Sequence, residues 1–249
     1  MLTDERHQRI LASLEENDII TIAELLDPLE ASESTIRRDL QHLENQGLLI
    51  RIHGGAKKKQ QLNFEANMSE KQGKHHEEKL LIGKYAAELI KPNDVVYIDA
   101  GTSTMAMIPF IDANLNIKVV TNSVKHAALL VEKEIDTVIL GGSIKLSTNA
   151  ITGFSTAQQL QQFRFNKAFM GMNGAHLENG FTTPDPEEAM IKKLAIAQSQ
   201  MVFALLDASK LQQTAFTHVA DLSQAEIITS KCPKDLLKKL QLQTRITEV

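Results

Sequence analysis

The chain has 249 residues, of which 43% are hydrophobic and 23% charged, and it contains only 12 glycines and 6 prolines. This composition excludes a disordered, collagen-like or low-complexity chain and indicates one large or two modest globular domains. No apolar run approaches the roughly 18 residues of a membrane span, so we expect a cytoplasmic protein without a membrane partner. The single cysteine, Cys232, permits no internal disulfide, which is typical of a reducing compartment.

The net charge of −4 hides a separation of charge along the chain. Residues 1–33 carry a net charge of −7, whereas residues 34–59 carry +4. A basic patch on an otherwise acidic protein suits phosphate binding, but a charged run on its own fits an ordinary solvated face equally well.

The first sixty residues predict three short helices and a hairpin. The first helix covers residues 4–16, Thr21 caps a second, and Ser32 caps a third. Pro28 should end or bend the second helix, because proline disfavours the helical conformation of the residue before it. After the third helix, residues 48–53 have strand character, and Gly54 and Gly55 supply the turn of a β wing.

The third helix has two unlike faces. Ile36, Leu40 and Leu43 recur at helical spacing and form the stripe expected to be buried. The opposite face is basic and can form hydrogen bonds, and it carries Ser34, Arg37, Arg38 and Gln41. A helix-turn-helix with a wing can insert this helix into the major groove of DNA, where arginine grips guanine or phosphate. A three-helix module that docks another protein has the same periodicity.

The residues of this region also resemble a known family. The run SESTIRRDL at residues 32–40, followed by Gly47 and by RIHGGA at residues 51–56, resembles the N-terminal signature of the DeoR-type bacterial transcriptional repressors. The resemblance implies that the third helix reads DNA and that wing residues lie near the DNA backbone. The predicted DNA contacts are Ser34, Thr35, Arg37, Arg38, Gln41, Arg51, His53 and Lys57. Pro28 departs from the unbroken second helix usual in the family.

A polar stretch separates this module from the rest of the chain. We predict a winged helix-turn-helix domain over residues 1–57, a linker over 58–76 and an α/β domain over 77–249. The paired histidines His75 and His76 lie in a charged stretch and are expected to be solvated, so we predict no metal site and no cofactor.

The second domain alternates strands with helices. A helix is predicted over residues 78–90, followed by β-rich runs at residues 95–99, 118–121, 137–140, 167–171, 201–207 and 226–229. This alternation predicts a mostly parallel sheet covered by helices.

Polar residues follow several of these strands. In an open α/β sheet such strand ends meet at one crevice, where a lysine and hydroxyl groups can bind a small phosphorylated polyol. Each motif on its own fits a turn or helix cap equally well. The candidate effector-binding residues are Asp99, Gly101, Thr102, Ser103, Thr104, Thr121, Asn122, Gly141, Gly142, Asn173, Thr182, Thr183, Asp185 and Lys210. Asp99 is expected to accept sugar hydroxyls and Lys210 to supply a mobile positive charge.

The C-terminal half resembles the sugar-phosphate-isomerase fold found in the same family and related to ribose-5-phosphate isomerase. Residues 173–189 are similar to the fructose and lactose phosphotransferase-operon repressors of Gram-positive bacteria. The resemblance implies a repressor of a sugar operon, bound to operator DNA and controlled by a ketohexose phosphate. Fructose 1-phosphate is the first expectation, and tagatose 6-phosphate is the second.

The alternative function is a sugar-phosphate isomerase with an accessory N-terminal module. Asp185, Glu187 and Glu188 could act as bases, but many relatives have aspartate where Asn173 stands, and an amide is no base. An isomerase also has no need of Arg37 and Arg38, so we predict that the protein is not an enzyme. A palindromic operator implies at least a homodimer.

Overall fold

The computed structural model describes residues 2–17, 19–58, 62–63 and 67–249. The chain divides into two compact units, Met1–Gln61 and Leu62–Val249, each with its own hydrophobic core. Within the described ranges, no helix is long and apolar enough to cross a membrane.

The first unit is a winged helix-turn-helix. Its elements are α1 (Thr3–Asn17), β1 (Ile19–Thr21), α2 (Ile22–Leu29), α3 (Glu33–Asn45), β2 (Leu49–Ile52) and β3 (Gly55–Lys58). The three strands form an antiparallel sheet in the order β1-β3-β2, so the wing hairpin pairs back onto the strand between α1 and α2. The three predicted helices and the hairpin are confirmed. Strand β1 was not predicted, because three residues are too few to show an alternating pattern.

Local capping explains where the helices of the first unit begin. The Thr21 hydroxyl accepts a hydrogen bond from the Glu24 N–H at 3.3 Å, and the Glu24 carboxylate accepts one from the Thr21 N–H at 2.7 Å. Pro28 was predicted to end or bend α2, and the helix ends at Leu29, one residue after the proline. The cap residue Glu30 has a left-handed conformation with φ of 48°.

The second unit contains seven helices and twelve strands among the described residues. The helices are α4 (Met68–Gly73), α5 (His76–Glu88), α6 (Thr102–Met107), α7 (Val124–Glu132), α8 (Phe154–Leu160), α9 (Pro186–Ala197) and α10 (Lys234–Gln241). The strands are β4 (Val95–Ile98), β5 (Lys118–Thr121), β6 (Asp136–Ile139), β7 (Ser143–Ile144), β8 (Ile151–Thr152), β9 (Phe165–Gly171), β10 (Gly174–His176), β11 (Gly180–Thr183), β12 (Ser199–Leu206), β13 (Thr217–Ala220), β14 (Glu226–Thr229) and β15 (Ile246–Glu248).

A seven-stranded parallel sheet organises the second unit. The strand order is β15-β14-β12-β9-β4-β5-β6, and every neighbouring pair is parallel. From β4 the chain proceeds outward through β5 and β6, and from β9 it proceeds outward in the other direction through β12, β14 and β15. The topological switch point therefore lies between β4 and β9. A small antiparallel sheet, β10-β11-β13, and the β7-β8 hairpin lie outside this sheet.

Side chains of successive strand residues are buried on opposite faces of the large sheet. In β4, Val96 and Ile98 belong to the core beneath α5, whereas Tyr97 belongs to the core beneath α8, α9 and α10. Because both faces are covered, the strands are apolar nearly throughout, which is why the sequence shows them as continuous hydrophobic runs.

The predicted α/β fold class is confirmed, and the six predicted strands correspond to β4, β5, β6, β9, β12 and β14 with ends within two residues. The linker prediction needs a correction, because α4 lies inside residues 58–76. Its Met68 side chain is buried in the second unit, which makes this part of the segment structured. Strands β10 (GAH), β11 (GFTT), β13 (THVA) and β15 (ITE) were not predicted, because they are short and none of them is a continuous apolar run.

Candidate functional site

The buried side of helix α3 is held to α1 by the carboxylate of Asp39. Asp39 accepts hydrogen bonds from Arg6 Nη2 at 2.9 Å and from His7 Nε2 at 3.1 Å. Burial acts to raise the pKa of Asp39, but its hydrogen bonds to Arg6 and His7 outweigh burial and hold that pKa below its usual value. Asp39 therefore has a structural role and orients the outer face of α3.

The outer face of α3 presents the predicted polar residues to solvent. Ser34, Arg37, Arg38 and Gln41 are all exposed. The Arg37 Nε donates to Glu33 at 2.9 Å, and the Arg38 Nε donates to the Ser34 carbonyl at 3.3 Å. Exposed interactions of this kind are weak, so both guanidinium groups can exchange these partners for others.

Thr35 differs from its neighbours on this helix. It is only partly exposed, its N–H donates to the Ser32 hydroxyl at 3.3 Å, and the two hydroxyl oxygens lie 2.9 Å apart. Thr35 thus belongs to the cap of α3.

The wing is joined to α3 through Arg51. Its Nη1 donates to the Gln41 amide oxygen, and its backbone N–H donates to the Glu44 carboxylate at 2.8 Å. His53 and Lys57 are exposed. Because Arg51 pairs with the buried Ala56 and Lys57 is the next residue along the strand, Lys57 projects from the opposite face of the wing.

The second candidate site lies at the carboxyl ends of β4 and β9, the two strands at the switch point. Ligands of open α/β sheets bind at such a crevice. Asp99 directly follows β4, and its Oδ2 accepts a hydrogen bond from the N–H of Gly171, the last residue of β9, at 3.1 Å. The crevice is therefore bridged at its base.

Lys192 on α9 completes this bridge. Its ammonium group donates to Asp99 Oδ2 and to the Gly171 carbonyl, the latter at 2.8 Å. The side chains of Lys192 and Asp99 are 4% and 1% exposed. Burial raises the pKa of Asp99, and the Lys192 charge opposes that rise. The expectation that Asp99 faces the ligand is thereby corrected, because its carboxylate is enclosed and committed to Lys192.

A second group of charges surrounds Lys145. Its ammonium lies 2.9 Å from Asp185 and 3.0 Å from Glu188, which also accepts a hydrogen bond from the Thr148 hydroxyl at 2.7 Å. Asp185 caps α9 by accepting the N–H groups of Glu187 and Glu188 at 2.8 and 3.0 Å. Although burial acts to raise it, the pKa of Asp185 is held low by Lys145 and these N–H groups.

Several predicted effector residues hold loops in place. The Thr104 hydroxyl donates to the Asp99 carbonyl at 2.6 Å, and Thr121 Oγ1 accepts from the Ser123 N–H at 3.2 Å. The Asn122 amide accepts the Ala100 N–H at 2.9 Å. All three side chains are at most 2% exposed, so they shape the crevice from within.

The two glycines after β6, Gly141 and Gly142, bring the chain close to α8 and so also shape a loop. The Gly141 carbonyl accepts the Thr156 hydroxyl at 2.9 Å. At Gly142, where φ is +156°, an added Cβ would lie 2.0 Å from Thr156 Oγ1. The chain passes too close to α8 here for any side chain.

Asn173, Thr182 and Thr183 connect the crevice to the small antiparallel sheet. The Thr183 hydroxyl donates to Asn173 Oδ1 at 2.9 Å, and Thr182 Oγ1 accepts the Ala215 N–H at 2.9 Å. Both threonines are buried, and these hydrogen bonds give each hydroxyl a partner within the protein.

Three of the predicted side chains are not among those that hold the loops in place. Thr102 and Ser103 begin α6, and Lys210 ends the short 3₁₀ turn that follows β12. Within the described part of the chain, no hydrogen bond or ion pair to the Lys210 ammonium is found, and that side chain is partly exposed.

Gly101, the residue before α6, is held by His126, which the sequence analysis did not indicate. His126 Nε2 lies 3.1 Å from the Gly101 carbonyl, which can only accept, so the ring donates from Nε2. Burial lowers the pKa of His126 to about 4, which keeps the ring neutral.

Lys192, Lys145, Glu188 and His126 are therefore the residues that sequence reasoning missed. Glu188 had been considered only as a base, and a lysine in an amphipathic helix usually faces solvent. Only the docking of α9 on the sheet shows that Lys192 points inward.

Comparison with known proteins identifies the family. Residues 6–61 match the DeoR-like helix-turn-helix domain, and residues 74–231 match the DeoR C terminal sensor domain. The chain is 44% identical to the HTH-type transcriptional regulator FruR of Bacillus subtilis over 100% of this chain and 99% of that protein. It is 31% identical to the lactose phosphotransferase system repressor of Streptococcus mutans, covering 100% and 99% of the two chains. Ribose 5-phosphate isomerase A of Methanocaldococcus jannaschii gives a TM-score of 0.38 at 17% identity, covering 53% of each chain.

These matches span both units, so the chain belongs to the DeoR family of helix-turn-helix transcriptional regulators, with a DNA-binding domain followed by a sensor domain. It is a transcriptional repressor of this family. The relatives carry the names of regulators, which confirms the prediction of a regulator in preference to an isomerase.

Proposed function

We propose that this protein represses an operon for sugar uptake or catabolism and that a ketohexose phosphate bound in the second unit controls its affinity for operator DNA. Fructose 1-phosphate is the first candidate effector, and tagatose 6-phosphate is the second. The relatives named FruR and lactose phosphotransferase system repressor support this class of ligand. Its place of action is the cytoplasm, on the chromosomal DNA.

The proposed DNA interface is the outer face of α3 with the wing. Arg37 and Arg38 supply the forked donors that read guanine or hold phosphate, and Ser34 and Gln41 flank them. Arg51 fixes the wing against α3, and His53 and Lys57 contact the DNA backbone. A two-fold operator then calls for a homodimer or a higher homo-oligomer.

The proposed effector site is the crevice at the switch point. The observation that carries it is Lys210, a partly exposed cation for which no hydrogen bond or ion pair is found within the described residues. It lies in the turn after β12, the strand next to β9 at the switch point. Lys145 lies between β7 and β8, in the hairpin that follows β6, and Lys210 lies in the turn that follows β12. A phosphate can draw on Lys210 and on the hydroxyls of Thr102 and Ser103, while the buried amides and threonines keep the loops in shape.

The test is the thermal stability of the full chain with added sugars. A ligand that binds only the native state increases the free energy of unfolding, by about 2.7 kcal/mol at a concentration of one hundred times its Kd. The melting temperature rises as a result. We expect a rise with fructose 1-phosphate and none with fructose at equal concentration. Lys210→Ala should abolish most of the rise, whereas Lys234→Ala, on exposed α10, should leave it unchanged. If no sugar phosphate changes the melting temperature, the proposed effector is wrong.

A further inference from the structure

Helix α4 is the first helix after the DNA-binding unit, and both of its ends are fastened. At its start the Asn67 side chain accepts the Glu70 N–H at 2.9 Å, and the Glu70 carboxylate accepts the Asn67 N–H at 3.0 Å. The adjoining Met68 side chain is 3% exposed. A six-residue helix has little stability of its own, so these attachments hold it in place.

The first attachment to the rest of the unit is a single backbone hydrogen bond. The Met68 N–H donates to the Ser147 carbonyl at 2.9 Å. Ser147 lies in the loop that carries Lys145 and Thr148, and both of these side chains grip Glu188 on α9. The start of α4 is therefore coupled, through one loop, to the charges around Lys145 at the proposed effector site.

The second attachment is made by Lys79 of α5. Its ammonium group is buried and donates to the carbonyls of Lys71 and Lys74, the latter at 2.6 Å. Burial lowers the pKa of Lys79, the charge of Asp207 opposes that effect, and the charge of Lys210 adds to it. The end of α4 is therefore held by the ammonium group of Lys79, whose pKa is lowered in part by the charge of Lys210, the other proposed phosphate ligand.

These attachments place α4 across the ends of the central strands. The loop of Ser147 joins the end of β5, where the Ile151 N–H donates to the Asn122 carbonyl at 2.7 Å. Lys79 follows Glu78, whose carboxylate accepts the Ala208 N–H just after β12 at 3.3 Å. Strands β5 and β12 are three positions apart, roughly 14 Å, and eight residues of helix and cap span about 12 Å. Between them lie β4 and β9, and α4 packs on α6, which follows β4.

We propose that α4 is a strap across the crevice that couples effector binding to DNA binding. This inference rests on the proposed effector site. An anionic ligand that engages Lys145 or Lys210 changes the charge balance at one end of the strap or the other. Because α4 is the first helix described after the DNA-binding unit in the chain, a change in its attachment is the step that we propose transmits effector binding to DNA binding.

The test compares two substitutions at Met68 that differ in one N–H group. Both Met68→Ala and Met68→Pro remove the buried side chain, but only the proline removes the donor to Ser147. Proline is well tolerated here, since Met68 is the first residue of the helix and Asn67 has the extended conformation that precedes proline, with φ of −67° and ψ of 166°. Each variant is titrated with operator DNA, selected from a random library by the wild-type chain, with and without saturating fructose 1-phosphate.

We expect fructose 1-phosphate to change the operator affinity of the wild type and of Met68→Ala by about 5-fold to 150-fold, a usual range for coupled sites. In Met68→Pro this factor should fall to less than about a third of the Met68→Ala value. The melting-temperature rise with fructose 1-phosphate should match that of Met68→Ala. The operator affinity without ligand should differ from that of Met68→Ala, because the strap has already lost its attachment to Ser147. Lys79→Met, which removes the other attachment, should reduce the same factor.

Equal coupling factors in Met68→Pro and Met68→Ala overturn the strap, even if the ligand binds normally. Loss of ligand binding in Met68→Pro alone also overturns it, because the helix then belongs to the binding site itself. If fructose 1-phosphate neither stabilises the wild type nor changes its operator affinity, the proposed effector function fails first. Hydrogen exchange of the Met68 amide gives an independent check, since ligand binding should change its rate in the wild type and leave distant β15 unchanged.

Discussion

Lys192 and Asp99 are 93 residues apart in the chain and form an ion pair that is almost completely withdrawn from solvent. The pair joins α9 to the end of β4, at the point where the order of strands reverses. A buried pair is costly to break, because removing one partner leaves the other charge unpaired in a medium of low polarity.

We therefore expect Lys192→Met or Asp99→Asn alone to lower the free energy of unfolding of the second unit by about 3–5 kcal/mol. The double variant should lose less than the sum of the two single losses, since it leaves neither charge without its partner. Urea denaturation of all four proteins measures this cycle. Additive losses would show that the pair contributes no coupling energy.

Arg37 on α3 and Arg9 on α1 form a matched pair of sites in the first unit. Each is an exposed arginine that pairs with a glutamate four residues earlier, and their side chains are 51% and 54% exposed. Arg37→Ala should weaken operator binding by about 1–3 kcal/mol, because it removes a forked donor from the recognition face. Arg9→Ala should have no such effect. Equal effects in a gel-shift titration would contradict the assignment of α3, and Arg38→Ala tests the same face.

Lys57 should act on DNA through charge alone. Lys57→Ala should lower affinity for operator and random DNA by the same factor and reduce the slope of log affinity against log salt by about 1. Lys84→Ala, an exposed lysine on α5, is the control. A selective loss on operator DNA would instead place Lys57 against a base.

The buried ring of His126 makes the stability of the second unit depend on pH. Its pKa is near 4 in the folded chain and near 6.5 when unfolded, so the unfolded state binds the proton more readily. Stability from this source is complete above pH 6.5 and decreases as the pH falls to about 4. The loss should approach 3 kcal/mol, at roughly 1.4 kcal/mol for each pKa unit.

In His126→Gln this part of the pH dependence should disappear, because the amide does not titrate in that range. Denaturant midpoints between pH 7 and pH 4 measure it. An unchanged pH profile in the variant would show that other groups cause the acid sensitivity.

Gly142 tests the close approach of the chain to α8 after β6, and Gly73 in α4 is its control. Gly142→Ala places a Cβ 2.0 Å from Thr156 Oγ1 and 2.6 Å from the Thr152 carbonyl, so we expect a loss of roughly 1–3 kcal/mol. At Gly73 an added Cβ meets nothing within 4 Å, and Gly73→Ala should stabilise by about 0.4–1 kcal/mol. Thermal unfolding of the two variants side by side decides the matter, and a neutral Gly142→Ala would contradict the close packing.

Helix α3 was predictable in detail because the evidence for it is local. Helical spacing placed Ile36, Leu40 and Leu43 inside and Arg37 and Arg38 outside, and the structure has them so. The capping residues Thr21 and Ser32 also act within three residues of themselves. Pro28 was predicted to end or bend α2, and the helix ends one residue after it.

The sequence predicted which edge of the sheet collects polar residues, but not which of those side chains are buried. Hydroxyl and amide residues after successive strands do meet at one edge, since parallel strands bring their carboxyl ends together. Most of them, Thr104 and Asn122 for example, turned out to be buried and bonded to backbone groups. A sequence cannot distinguish a threonine that meets a ligand from one that satisfies a carbonyl behind it.

The sequence by itself determined the order of helices and strands, the basic face of α3 and the edge of the sheet at which polar residues collect. Those properties follow from periodicity and from residue chemistry, which act over a few positions. Only the tertiary structure decided that Lys192 turns inward to Asp99, that Lys145 bridges Asp185 and Glu188, and that Met68 at the start of α4 donates to Ser147. Such pairings join residues distant in the chain, and they exist because the packing of helices on the sheet excludes water, so that a buried charge needs a partner within the protein.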